Sequence, residues 1–325
     1  MRLLIRQGIG ILLFLPLQIL FIPLGITGAT MIFYRQIFVS KKLGVSSTAV
    51  EVMNGRWVMD RFGLRQDTAT VQLFSVLPNT STLGHWLLFF PLYVLTRISG
   101  RHQIYPIIKD APKAGLTHLI TTRTVLFDEL LQHACNSSEQ VVVMGAGFDT
   151  RSYGPLIHDA LDIFELDKKE TQSLKRNCLK QAGIDASSIQ FVEVNFATEQ
   201  WATKLTDAGY NPQKVTTFLW EGVSLYLSET DVRRALTAMQ THAAAGSRIL
   251  VDFYEVEFVH KLMSRSGKLL ELTNESLSFG IAFEGAASRQ LAALASETNL
   301  KPGDIHYLGS ETPKGTWMAV CELII

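Results

Sequence analysis

Two hydrophobic rhythms divide this chain. From Gln7 to Tyr34 no residue is charged, and Gly8 to Phe33 is mostly Ile, Leu, Phe and Gly. That run is longer than the roughly 20 apolar residues a helix needs to cross a bilayer core. Pro16 and Pro23 interrupt it, so the pattern accommodates a kinked span or a short re-entrant helical pair as readily as a straight helix. A second apolar run, Leu83 to Ile98, is shorter and carries Trp86, Phe89, Phe90, Pro91 and Tyr93. Such aromatics favour the membrane interface, so this run is expected along the membrane surface.

The second rhythm begins after a connector over 99–112, marked by Gly100, Pro106 and Pro112. Short apolar runs predict strands near Val141–Met144, Asp162–Leu166, Ile189–Val194, Thr216–Trp220 and Ser247–Phe253. Helical patterns fall over Lys113–Cys135, Lys168–Ala182, Thr198–Asp207 and Ser228–Ala244, the last opening on a capping-box sequence. A helix over Glu284–Thr298 precedes two closing runs, Asp304–Leu308 and Thr316–Ile324, which read as an antiparallel pair. Alternating strands and helices predict an α/β fold with a doubly wound, mostly parallel sheet. The expected organisation is a membrane-associated region over 1–98, the connector, and a sheet domain over 113–325.

Charge changes the picture in two ways. The formal net charge is zero, so no overall basic field gathers nucleic acid. Locally, Arg35 to Asp67 holds six basic residues (Arg35, Lys41, Lys42, Arg56, Arg61, Arg65) against the acids Glu51, Asp60 and Asp67. The positive-inside rule puts that stretch, and the sheet domain after it, in the cytoplasm, with the first apolar segment as anchor. A signal peptide is the competing reading of Arg2, Arg6, the apolar core and the small pair Gly28-Ala29, although the run exceeds the usual h-region. Cys135, Cys178 and Cys321 lie far apart and read as buried hydrophobes in a reducing compartment. The eight histidines show no metal-ligand spacing, and no metal is expected.

The chemistry concentrates at Val141-Val142-Val143-Met144-Gly145-Ala146-Gly147-Phe148-Asp149-Thr150-Arg151. A buried strand running into a glycine turn, followed by an acid at the end of the next strand (Asp167), is how an open α/β sheet holds a nucleoside ribose. The third glycine of a dinucleotide loop is replaced by Thr150, and Asp149 is an acid that suits an ammonium or sulfonium cation better than a pyrophosphate. S-adenosylmethionine is such a cofactor. Asp149 could equally bond its own turn, and Asp167 could cap the next helix. An NAD(P)-dependent oxidoreductase and a non-catalytic tethered binding protein are the alternatives in other classes.

Three ordered motifs, Val143 to Arg151, Phe164-Glu165-Leu166-Asp167, and Trp220-Glu221-Gly222-Val223-Ser224-Leu225-Tyr226-Leu227, resemble the leucine carboxyl methyltransferase family over about residues 113–325. The resemblance implies a Rossmann-like methyltransferase sheet that binds S-adenosylmethionine. It implies that Arg123 meets the cofactor carboxylate, Gly145 and Gly147 form the loop, Asp167 holds the ribose, and Glu221 faces the methionine end. Asn195-Phe196 stands where the family usually has Asp-Leu; Asn195 can still accept from the adenine amino group. The apolar N-terminal region lies outside the family pattern and suggests a membrane-attached subgroup. Glu221 and Tyr226 are the candidates for a direct role in catalysis. The expected reaction is methyl transfer to an oxygen, carboxylate or hydroxyl, of a lipid-like small molecule or another acceptor presented at the membrane.

Overall fold

The computed structural model describes residues 2–100, 110–155, 157, 160–196, 198–283 and 287–325, with no side chain described before Ile9 or at 287 and 288. The first apolar run forms one helix, α1 (Arg2–Tyr34), which passes through a π-helical turn (Arg35–Val39) into the short α2 (Ser40–Leu43). Pro16 and Pro23 sit inside α1 without ending it. Its side chains point outward: Leu12, Ile19, Leu20 and Ile26 are each at least 65% exposed. The helical stretch Ile9–Leu43 is long and apolar enough to cross a membrane.

Residues 47–76, which follow that stretch, form α3 (Ser47–Arg61) and α4 (Thr68–Val76). The Ser46 hydroxyl caps α3 by accepting from Ala49 N, and Asp67 caps α4 by accepting from Thr70 N. The second apolar run is α5 (Thr82–Ser99), capped by Ser81 and closed by Gly100 at φ +68°. α5 runs antiparallel along α1, and small residues allow the close fit. A Cβ on Gly28 would stand 2.5 Å from the Gly84 carbonyl, and one on Gly10 would stand 3.1 Å from Leu95. The opposite side of α5 packs on α3, where Trp57 stacks on Phe74 and meets His85 and Trp86 edge-on.

The sheet follows the expected plan. Helix α6 (Leu119–Cys135) leads to β1 (Gln140–Met144) and β2 (Asp162–Asp167). After α7 (Lys169–Ala182) come β3 (Ile189–Glu193), α8 (Trp201–Asp207) and β4 (Thr216–Trp220). Then follow α9 (Glu229–Thr241), β5 (Arg248–Tyr254), α10 (Val256–Glu271), α11 (Ala287–Glu297), β6 (Lys301–Leu308) and β7 (Met318–Ile324). Spatial order is β3-β2-β1-β4-β5-β7-β6, with β1 to β5 parallel and β7 antiparallel to both of its neighbours. Helix α6 begins six residues later than expected, after two 3-10 turns at Ala111–Lys113 and Leu116–His118. The amphipathic α10 fills a stretch to which the pattern analysis assigns no element. Most of the connector and the first residues of the Glu284–Thr298 helix lie outside the described residues.

Alternate side chains of each strand feed two cores. Val142, Phe164, Phe218 and Val251 pack under α8, α9 and α11, whereas Val141, Ile163, Leu219 and Leu250 pack under α6 and α10. A third core joins Val50, Met53 and Trp57 of α3 to Phe74 of α4 and to Phe148, Cys178 and Leu179 of the sheet domain. Residues 47–76 are therefore packed onto the sheet domain, not only onto the apolar helices. The order reverses at β1, so β1 and β4 flank the crevice where open α/β sheets bind ligands.

Trp57→Ala is expected to cost about 3–5 kcal/mol at this third core. Amide hydrogen exchange should speed up through α3 and α4, while protection in β1, β4 and β5 is retained.

Candidate active site

The glycine loop leaves β1 at the switch point. Gly145 (φ +66°) and Gly147 (φ +44°) both occupy the left-handed region, and a Cβ at Gly145 would lie 2.5 Å from Val223 Cγ2. Asp167 ends β2 beside this loop. Its Oδ2 accepts from Gly147 N at 2.6 Å and its Oδ1 from Lys168 N at 2.6 Å. Burial raises the Asp167 pKa, and those two N–H groups act against the rise. Each oxygen keeps a second lone pair, which is what a pair of ribose hydroxyls requires. Asn195 lies beyond the end of β3 next to Asp167; Val194 N donates to the Asp167 carbonyl at 2.8 Å.

Glu221 follows β4, with only 6% of its side chain exposed. Its Oε2 accepts from Arg151 Nη1 at 2.6 Å and from Arg56 Nη2 at 3.0 Å. Its Oε1 faces Arg123 Nε at 3.0 Å. That last approach is not aligned for hydrogen bonding, so Arg123 Nε and Glu221 Oε1 are both buried without a hydrogen-bond partner among the described residues. Burial opposes ionisation of Glu221, but the Arg151, Arg56 and Arg123 guanidiniums outweigh it and hold the pKa at about 2. Arg123 also donates to the Tyr254 hydroxyl and lies 3.4 Å from Asp252. Burial lifts Asp252 to about 6 despite Arg123, with the Glu221 charge adding to the rise.

Asp149 is taken up by its neighbours. Its Oδ1 accepts from Arg151 N at 2.8 Å, which is the turn-stabilising geometry, and its Oδ2 meets Arg151 Nη1 at 2.5 Å and Arg56 Nη1 at 3.0 Å. Burial works against its charge, yet Arg151 and Arg56 drive its pKa far below the usual carboxylate range. Arg151 reaches Asp128 as well, at 2.6 Å. Tyr226 stands on the 3-10 turn Ser224–Tyr226, and its hydroxyl shares a 2.5 Å hydrogen bond with Thr48 Oγ1 from α3. Thr48 also donates to Glu275, which accepts from Ser46, Ser47 and Thr273. Burial raises the phenol pKa, and Glu275 adds to the rise.

The structure thus brings Arg123, Gly145, Gly147, Asp149, Asp167, Asn195, Glu221 and Tyr226 to one edge of the sheet. It adds Arg56, Thr48, Arg151, Asp252 and Tyr254, to which the sequence reading assigns no role. Arg151 adjoins the glycine motif and could have been singled out there; the other four have no local signature.

The donor set fits S-adenosylmethionine. Around Glu221 four guanidiniums (Arg56, Arg65, Arg123, Arg151) meet five carboxylates (Asp67, Asp128, Asp149, Glu221, Asp252). A net negative charge in a buried setting favours a cation over a pyrophosphate. The orphaned pair offers an acceptor at Glu221 Oε1 for an ammonium and a donor at Arg123 Nε for a carboxylate, the two ends of an amino acid. Gly145 and Gly147 would give the nucleoside its close approach and Asp167 its sugar contact.

Glu221→Gln is expected to destabilise the protein by about 3–5 kcal/mol at neutral pH, because it leaves three arginines short of a buried counter-charge. A depressed folded-state pKa means that the wild-type advantage is present above about pH 4.5 and is lost as pH falls toward 2. Urea denaturation of both proteins across that window should show the difference shrinking on acidification.

Part of the chain is similar to known proteins. Residues 99–240 match the sequence model of the leucine carboxyl methyltransferase family. A protein of Saccharopolyspora erythraea, assigned as an S-adenosyl-L-methionine-dependent methyltransferase, is 27% identical over 207 residues, covering 62% of this chain and 67% of the relative. A Streptomyces avermitilis protein with the same assignment is 33% identical over 131 residues, covering 40% of this chain and only 46% of the relative. Among solved structures, a DUF574 family protein from Streptomyces avermitilis superposes with a TM-score of 0.48 at 12% identity, over 64% of this chain and 84% of that one. The segment that carries the glycine loop, Asp167 and Glu221 matches the leucine carboxyl methyltransferase model, and the relatives it resembles carry an S-adenosyl-L-methionine-dependent methyltransferase assignment.

Proposed function

We propose that this chain transfers a methyl group from S-adenosylmethionine to an oxygen, carboxylate or hydroxyl, of a lipophilic acceptor taken from a membrane. The observation that carries the reading is the Arg123–Glu221 ion pair at the carboxyl edge of β4, whose Nε and Oε1 face each other at 3.0 Å without an aligned hydrogen bond. When bound, the cofactor supplies an electrophilic methyl on a sulfonium. The chain's part is positional. Asp167 and the glycine loop fix the nucleoside, Arg123 and Glu221 fix the amino-acid end, and α3 closes over both, with Ala49 Cβ 3.5 Å from where a Cβ on Gly147 would stand. Orientation of this kind supplies much of the acceleration of an in-line displacement. A carboxylate acceptor is already ionised at neutral pH, whereas a hydroxyl acceptor needs a proton acceptor beside it.

The membrane part of the proposal rests on the exposed apolar face of α1. Basic residues Arg35, Lys41 and Lys42 close the helix on the side of the sheet domain, which suits a cytoplasmic, membrane-anchored arrangement. Helix α5, about 27 Å long, ends beside Gly10, and the chain is back in the sheet domain at Ala111, whose carbonyl accepts from Gly309 N.

Titration calorimetry of the detergent-purified chain should show S-adenosylmethionine binding and no NAD binding. Asp167→Ala should weaken that binding by about 1.5–3 kcal/mol, the worth of hydrogen bonds to a charged group. Incubation with radiolabelled methyl donor and a lipid extract should move label into the lipid fraction; label that stays wholly with the donor would contradict the reading.

A further inference from the structure

A cavity of about 270 Å³ lies where α1, the π-helical turn, α3 and α5 meet, away from the glycine loop. Its wall has two chemistries. Ile32 of α1, with Val58, Leu88 and Phe89, forms an apolar side, while Gln36, Glu51, Asn54 and His85 supply polar groups. Gln36 and Asn54 are engaged with each other at 3.2 Å, and Gln36 donates to the Ser47 carbonyl. His85 Nδ1 lies 2.8 Å from the Ser81 carbonyl. Glu51 differs from these three. It is accessible in the recess, and among the described residues no group donates a hydrogen bond to it. It stands one helical turn beyond Thr48, whose hydroxyl touches Tyr226. It is near enough to Arg123, Glu275 and Tyr226 for their charges to act on it or its charge on them. Glu51 therefore sits between the apolar cavity and the edge of the sheet where Arg123 and Glu221 meet.

We propose that this cavity is the acceptor site, that it takes the head of a hydroxyl-bearing amphiphile arriving from the bilayer, and that Glu51 receives the hydroxyl proton during transfer. This rests on the methyltransferase reading above. A hydroxyl is favoured over a carboxylate because Glu51 lines the cavity as an acid, with the Glu275 charge acting on it, and a further anion beside Glu51 would be repelled. The apolar wall accepts the chain next to the head, and the surface of α1 gives it a path from lipid. In the transfer, the acceptor oxygen forms a bond to the methyl carbon as the sulfur–methyl bond breaks and its electron pair returns to sulfur. The hydroxyl proton passes to the Glu51 carboxylate. The products are a methyl ether, the neutral thioether and a protonated Glu51, which gives its proton to water. Although Glu51 is open to solvent in the recess, the protein packed around it raises its pKa, with Arg123 opposing and Glu275 adding to the rise; a carboxylate so raised is a better proton acceptor near neutral pH.

The test uses the full-length chain in detergent with a long-chain alkylphenol, one form of which carries a photoactivatable diazirine on its tail. Crosslinks are expected on Ile32, Val58, Leu88 or Phe89. Leu88→Trp, which fills the cavity, should reduce them at least tenfold while S-adenosylmethionine affinity by calorimetry stays within twofold. A saturated fatty acid of equal length should compete at least tenfold less well than the unlabelled phenol. Glu51→Gln should lower methyl transfer to the alkylphenol by about 10²-fold or more and leave crosslinking within twofold. Crosslinks elsewhere, equal competition by the fatty acid, unaltered transfer in Glu51→Gln, or no transfer by a wild-type chain that binds S-adenosylmethionine would each overturn the inference and leave the cofactor reading standing. Failure to bind S-adenosylmethionine would instead overturn the reading beneath it.

Discussion

The buried ion-pair network around Glu221 holds the site together. Arg56 arrives from α3, Arg123 from α6, Arg151 from the turn after the glycine loop, and their carboxylate partners from the loop, β4 and β5. A guanidinium in such a place is tolerated only while paired, since leaving one buried charge without its partner costs several kcal/mol. The network therefore makes docking of α3 and closure of the strand ends into one event. Without α3, Asp149 and Glu221 would keep Arg151 but lose Arg56, and the face of the glycine loop toward Ala49 would be open.

This arrangement gives the N-terminal region two jobs. Its first helix and α5 present apolar surface outward, while α3, held to α5 by the aromatic group around Trp57, presents Thr48, Glu51 and Arg56 to the sheet. One helix thus separates the exposed apolar surface of α1 and α5 from the edge of the sheet that carries the glycine loop. An enzyme that draws an acceptor from a membrane and transfers a group under exclusion of water benefits from so thin a partition. The site also keeps spare hydrogen-bonding capacity. Arg123 Nε and Glu221 Oε1 face each other without alignment, so each can take a ligand partner.

Much of this was legible in the residue order where the signal is local. A buried strand, a glycine turn and an acid at the end of the next strand lie close together in the chain, so Gly145, Gly147 and Asp167 announce themselves within about twenty residues. Glu221 is similar, since it follows an apolar strand directly. Asp149 shows the limit of local reasoning. Its acidity suggested a charge offered to the cofactor, whereas both of its oxygens are consumed by Arg151 and Arg56. Helix α10 went unassigned although its pattern is amphipathic, and the basic stretch from Arg35 was legible only as charge because α3 buries polar and apolar residues on more than one face.

The residue order by itself determined the strand sequence, the glycine turn, the ribose acid and the apolar leading helix, because each depends on periodicity or on conformational freedom within a few residues. Tertiary structure alone decided which arginine meets which carboxylate, that α3 roofs the site, and that Glu51 lines a cavity beside α1. Arg56 and Glu221 are 165 positions apart in the chain. Nothing in either neighbourhood encodes their meeting; it follows from packing Val50, Met53 and Trp57 against Phe148 and Leu179, and from the cost of leaving a buried charge alone.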